Sequence, residues 1–249
     1  MGIFGGQPAW MTDDTNKLHK GLKSIEKCYS PKKLKEAALN APRHEIRVAA
    51  MNRLTDQTIL ADLAKNAPLP DIRRQAAVKL TDQAVIADIA EHDENLVVRT
   101  AATENLTDQV ALGRIARNEK DKKLILLVIK KLTDQESLTY LVKNEHDWKI
   151  RFKAAKKLDD RVLAQEIYAQ IVRYEDLDDG KRKRIVKQLT DQSALAYVAK
   201  LPTTLSKDIW VIRKMALEKI TDASILSDVV QNAEEESVRQ AASEQLKPL

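Results

Sequence analysis

The tetrapeptide Leu54-Thr55-Asp56-Gln57 returns at Leu80, Leu106 and Leu132, each time after 26 residues. The frame continues as Leu158-Asp159-Asp160-Arg161, Leu189-Thr190-Asp191-Gln192 and Ile220-Thr221-Asp222-Ala223, at steps of 26, 31 and 31 residues. A period of this length dictates architecture. Each unit is one supersecondary element that cannot hide its apolar side alone, so units must stack. Counting back 26 residues from Leu54 reaches Cys28, and counting on from Ile220 reaches Leu246. The 249 residues therefore hold about eight units.

Two helices are legible in each unit. The first starts at the Thr-Asp-Gln turn, where Thr or Asp caps free backbone amides and Asp suits the positive end of the helix dipole. Its apolar face reads Leu60, Ala61, Leu63, Ala64 in one unit and Ile86, Ala87, Ile89, Ala90 in the next. The second runs from a β-branched residue and Arg, as in Ile72-Arg73, to the next unit's Leu. Small residues recur in its middle at Ala50, Ala76, Ala102, Ala154, Ala216 and Ala242, letting neighbouring helices approach. Gly and Pro number only 6 and 7 and aromatic residues make up 4%, a composition poor in strand formers. The expected fold is all-α: a right-handed α-α superhelix, or solenoid, over residues 28–249. A capping helix at 13–27, with Leu18, Leu22 and Ile25 on one face, precedes it, and residues 1–12 form a flexible tail. The five extra residues of units six and seven fall around Ala164–Gly180 and Val198–Trp210, in a longer first helix or an inter-helix loop.

From residue 28 onward the pattern resembles the HEAT-like repeats, in their short bacterial form with Val-Arg-x-Ala-Ala in the second helix. The resemblance implies a row of arginines, matched by Arg47, Arg73, Arg99, Arg151, Arg182, Arg213 and Arg239, with Ile125 in its place in the fourth unit. It also implies an Asp six residues earlier, matched by Asp93 and Asp176 and nearly by Glu145, but not at Ala41, Ala67, Lys207 or Ala233. Physically, the arginines fall beside the C-terminal end of the first helix, where they can bond its last unpaired carbonyls.

The net charge of +5 is unevenly spread. Arg117 to Lys187 holds 19 Lys and Arg against 13 Asp and Glu, so the remainder is close to neutral. Lys130, Lys156 and Lys187 occupy the most outward position of three successive second helices, with Lys153, Lys183 and Arg184 on the shoulders. Stacking aligns them as a stripe on the inner, concave face, which attracts phosphates or acidic peptides. Leu126 and Leu127 take shoulder positions in the fourth unit and Phe152 follows in the fifth, forming an apolar patch beside that stripe. Trp148 and Trp210 stand at equivalent starts of second helices, where an indole anchors a partner or stacks a base. Trp10 lies in the tail.

Nothing in the sequence organises catalysis. His19, His44, His92 and His146 occupy different positions of the repeat, and His44-Glu45 is the lone His-Glu pair. There is no Gly-rich phosphate loop, nucleophile elbow or Cys/His cluster. No metal or cofactor is expected. The single cysteine, Cys28, falls at the recurring core Leu and points to a reducing, cytoplasmic setting. No apolar run is long enough to span a membrane. The expected role is a non-catalytic scaffold that binds a protein or acidic peptide. The alternative is a nucleic-acid-binding protein resembling the HEAT-like alkylpurine DNA glycosylases.

Overall fold

The computed structural model describes residues 7–174, 176–206 and 208–247. Among them are seventeen α-helices and no strand. No helix is long and apolar enough to cross a membrane. The helices group into two compact units, Met1–Lys131 and Leu132–Leu249.

In the first unit, α1 (Leu18–Glu26) precedes four helix pairs: α2 (Pro31–Asn40) with α3 (His44–Arg53), α4 (Gln57–Asn66) with α5 (Pro70–Lys79), α6 (Gln83–His92) with α7 (Leu96–Asn105), and α8 (Gln109–Asn118) with α9 (Lys122–Lys131). The second unit holds α10 (Gln135–Asn144) with α11 (Trp148–Ala155), α12 (Arg161–Val172) with α13 (Asp179–Gln188), α14 (Gln192–Ala199) with α15 (Ile209–Leu217), and α16 (Ala223–Asn232) with α17 (Glu236–Leu246). Within each unit every helix packs on its pair mate or on the equivalent helix of a neighbouring pair. The small residues at mid-helix, Ala50, Ala76, Ala102, Ala154, Ala216 and Ala242, are all fully buried.

The recurring tetrapeptide divides its labour. Leu fills the core: Leu54, Leu80, Leu106, Leu132, Leu158 and Leu189 are all buried. Asp caps the first helix. Asp56 accepts the Ile59 N–H at 3.1 Å, Asp134 that of Ser137 at 2.8 Å, and Asp191 that of Ala194 at 2.8 Å. Such caps stabilise by about 1 kcal/mol each. Gln ties one repeat to the next. The Gln83 amide donates to the Asn105 carbonyl at 3.3 Å and its oxygen accepts the Thr107 N–H at 2.7 Å. Gln57, Gln135 and Gln192 do the same one repeat apart. Where Arg161 replaces the Gln, Gln165, one turn further on, reaches Gln188 and Thr190 instead.

The residue before each Leu closes the C-terminal end of the previous second helix. The Lys79 ammonium donates to the Met51 and Asn52 carbonyls at 2.7 and 2.8 Å, and Asn105, Lys219 and Gln245 make equivalent bonds. These are the orphan carbonyls every helix leaves. The first helices also carry an ion-pair ladder: Lys35–Asp62 at 2.5 Å, Lys65–Asp88 at 2.6 Å, Arg114–Glu91 at 2.7 Å and Lys200–Asp228 at 2.7 Å. Hydrogen bonds from Lys35, Lys65 and Lys200 hold the carboxyls of Asp62, Asp88 and Asp228 below the usual range. Depressed folded-state values stabilise above the unfolded carboxylate value, near pH 4, and that contribution is lost as pH falls through the folded-state values. Urea midpoints should therefore be level from pH 5 upward and fall below about pH 4. Asp88→Asn should lower the neutral-pH midpoint slightly and flatten the acid limb; a midpoint that rises on acidification would contradict the ladder.

The extra residues of units six and seven appear as expected. α12 is two residues longer than the common ten and is followed by a loop, and a 3-10 turn at Thr203–Leu205 occupies the second insertion. The N-terminal end differs from expectation. Trp10 is 7% exposed, so it belongs to the folded cap and not to a tail. Gly21 permits this, because a Cβ there would meet Ile46 Cδ1 at 2.8 Å and the Ala9 carbonyl at 3.2 Å. The expected tail's first six residues lie outside the described residues.

Candidate binding face

The arginine row is structural. Arg47 donates to the Ala41 and Pro42 carbonyls at 2.8 and 2.9 Å. Arg239 reaches Ala233 at 2.6 Å, Arg151 reaches Val142 at 2.9 Å and Arg182 reaches Val172 at 2.9 Å. Arg213, 1% exposed, donates to Leu201. Arg151 also reaches the next repeat, donating to Gln170 Oε1 at 2.6 Å and the Tyr174 hydroxyl at 3.0 Å, and two other row arginines bridge repeats by ion pairs. Arg73 pairs with Asp93 at 2.7 Å, and Arg99 with Glu119 at 2.9 Å. Asp176, the other expected acid, instead accepts the Trp148 Nε1–H at 3.0 Å, while Arg182 pairs with Asp179 at 2.8 Å.

Two grooves of about 440 Å³ lie in the first unit. One is lined by Glu91, Arg99, Arg114 and Glu119, but both arginines are already paired to those carboxylates. Among the described residues no group of three or more His, Cys, Asp or Glu could hold a metal.

The sequence-expected site residues fall in both units. Leu126, Leu127 and Lys130 lie on α9 of the first. Lys130 is exposed, but Leu126 and Leu127 are half-buried. Ile125, standing where the other repeats have Arg, is 3% exposed and packs in the core with Leu124, Val128 and Ile129. Half-buried, the two leucines are not an open patch.

The other residues lie in the second unit. The Phe152 ring is half-buried, tilted against Tyr168 of α12 at 5.3 Å, with the Lys156 ammonium 5.7 Å above it. Trp148 is half-buried at the start of α11, its indole flanked by the Lys149 and Lys181 ammoniums at 5.6 and 5.8 Å. Trp210 is 40% exposed at the start of α15, next to Val211 at 44%. Lys183 is held by Asp208 at 3.1 Å.

Four cations remain. Lys153, Lys156, Arg184 and Lys187 are exposed, and their side chains make no ion pair or hydrogen bond among the described residues. They sit two and five residues after the row arginines Arg151 and Arg182, so they form two equivalent pairs on α11 and α13. The same positions on α15 hold Met215 and Glu218, which end the basic rows on that side. In the first unit they hold Ala49 and Asn52, Gln75 and Val78, Ala101 and Glu104, and Leu127 and Lys130. Comparisons with family models, with curated proteins and with solved structures find no match.

Proposed function

We propose that this chain is a non-catalytic, HEAT-like scaffold of the cytoplasm, and that it binds an acidic protein segment on the second-helix face of its C-terminal unit. The observation that carries the reading is the contrast between the two helix rows. Lys35, Lys65, Arg114 and Lys200 of the first-helix row are matched to carboxylates across repeats, whereas Lys153, Lys156, Arg184 and Lys187 make no ion pair among the described residues. An unneutralised cluster sets up a local positive potential that draws in anionic groups. Cys28 as the sole cysteine fits a reducing compartment.

Two features favour a protein segment over nucleic acid. A base-stacking platform needs an open aromatic face, and the Trp148 face is taken by lysines while its edge is tied to Asp176. The N-terminal ends of α11, α13 and α15 are also flanked by Asp147, Asp176, Asp178, Asp179 and Asp208, which interrupt any continuous phosphate track. Carbodiimide coupling of a labelled polyglutamate peptide to the full chain, followed by peptide mapping, tests the reading. Cross-links should concentrate on Lys153, Lys156 and Lys187. Cross-links concentrated on first-helix lysines such as Lys33, Lys65 and Lys143 would overturn it, as would displacement of the peptide by a duplex oligonucleotide at lower concentration.

A further inference from the structure

Given the reading above, the helix beside the cations narrows the chemistry of the partner. We infer that the acidic segment also carries an apolar anchor, an aromatic or aliphatic side chain, which seats on Trp210 and Val211 of α15 while its carboxylates meet Arg184 and Lys187 of α13. α13 and α15 are equivalent helices of consecutive repeats and pack directly against each other. Lys183, next to Arg184 in the chain, also reaches Asp208, just ahead of α15, at 3.1 Å. Axes of packed helices lie about 8–10 Å apart. Three extended residues cover about 10 Å, so one short segment engages both helices at once.

The two helices offer different chemistry along the same row. Positions two before, two after and five after the row arginine fall at i, i+4 and i+7, which share one helix face. On α13 they hold Gly180, Arg184 and Lys187; on α15 they hold Val211, Met215 and Glu218. A basic row thus gives way to an apolar one that ends in an acid. Trp210 and Val211 are exposed and Met215 is half-buried. Among the described residues of the second unit, Trp210 and Val211 are the one pair of large apolar neighbours in sequence that both face solvent. Lys214, the exposed cation of α15, pairs with Glu218 at 3.9 Å. A carboxylate over α15 therefore gains little, whereas an apolar side chain gains the area it hides from water. Tryptophan suits this role, because its rigid ring offers a large contact area.

Three fluorescent peptides test this by anisotropy against the full chain. The first sets a Phe-Leu pair between two Glu blocks. The second has Ala-Ala in place of Phe-Leu, and the third has Gln in place of every Glu. The first should bind about ten-fold tighter than either of the others, the gain expected of one well-placed apolar anchor. W210A/V211S should bring the first peptide down to the affinity of the second and leave the second unchanged. R184Q/K187Q should weaken the first and second alike. All four substitutions are on exposed side chains, and circular dichroism verifies the fold. Equal binding of the first two peptides overturns the anchor while leaving acidic recognition intact, and so does a gain that survives in W210A/V211S. R184Q/K187Q binding as the unaltered chain does overturns the placement beside α13. Displacement of the first peptide by a single-stranded oligonucleotide at lower concentration assigns Trp210 to base stacking and overturns the anchor too. If the third peptide binds as tightly as the first, or if neither these peptides nor polyglutamate binds, the acidic-partner reading falls and the anchor with it.

Discussion

Arg73→Met is expected to lower the unfolding free energy by about 3 kcal/mol, the low end of the cost of leaving one member of a buried ion pair alone. Arg73 and Asp93 side chains are only 7% and 6% exposed. The guanidinium makes two bonds to Asp93, at 2.7 and 3.1 Å, one to the Ala67 carbonyl at 3.0 Å and one to Glu94 at 3.1 Å. Removing it strands a carboxylate that water barely reaches, together with a helix-end carbonyl. Arg47 is the internal control. It occupies the same repeat position but bonds only to carbonyls, because Ala67 stands where Asp93 stands one repeat later. Arg47→Met should cost about 1 kcal/mol, in line with lost neutral acceptors. The double variant Arg73→Met with Asp93→Asn should recover more than half of the loss, since Asn retains an oxygen for the Asn95 N–H that Asp93 accepts at 2.8 Å. Urea unfolding of the four chains, followed by circular dichroism, gives the comparison. Equal costs at Arg73 and Arg47 would mean that the carboxylate is incidental.

Period, caps and row positions were legible because each is a local property of one repeat. An Asp just before a helix caps it wherever it occurs, and Asp56, Asp134 and Asp191 do so. The arginines' attachment to the first helix's carbonyls follows equally from position. What escaped the sequence are contacts that join one repeat to the next. The six-residue rule ties an acid to the arginine of its own repeat, but Asp93 and Glu119 each serve the arginine of the repeat before, 20 residues back. Glu119 was invisible to that rule because its own repeat has Ile125 in place of Arg. Gln165 was hidden because it acts from one turn beyond the Gln frame. Trp10 reads as tail in sequence, and only the space left by Gly21 reveals its place in the cap. On the candidate face, Lys130, Lys153, Lys156, Arg184 and Lys187 are exposed and Lys183 is half-buried. Which of them are neutralised was not readable: Lys183 meets Asp208 from the following repeat, whereas Arg184 beside it makes no ion pair among the described residues.

Reversing all four unmatched cations, in the chain K153E/K156E/R184E/K187E, should have the largest effect on binding. Single exposed ion pairs are worth only about 0.2–1 kcal/mol. Reversal both removes four such attractions and installs four repulsions, which together amount to about 3 kcal/mol or on the order of 100-fold in Kd. The loss should shrink as salt rises, because screening weakens exposed charges first. Stability should change little, since among the described residues none of the four makes an ion pair and only Lys156 has a side-chain contact, over the Phe152 ring. The decisive measurement is a polyglutamate titration of this chain beside the unaltered one at low and at physiological salt. Tight, salt-sensitive binding by the unaltered chain, with a loss of on the order of 100-fold after reversal, is the predicted result. Equal affinity of the two chains at low salt would place the acidic segment elsewhere on the molecule and contradict the assignment of this face.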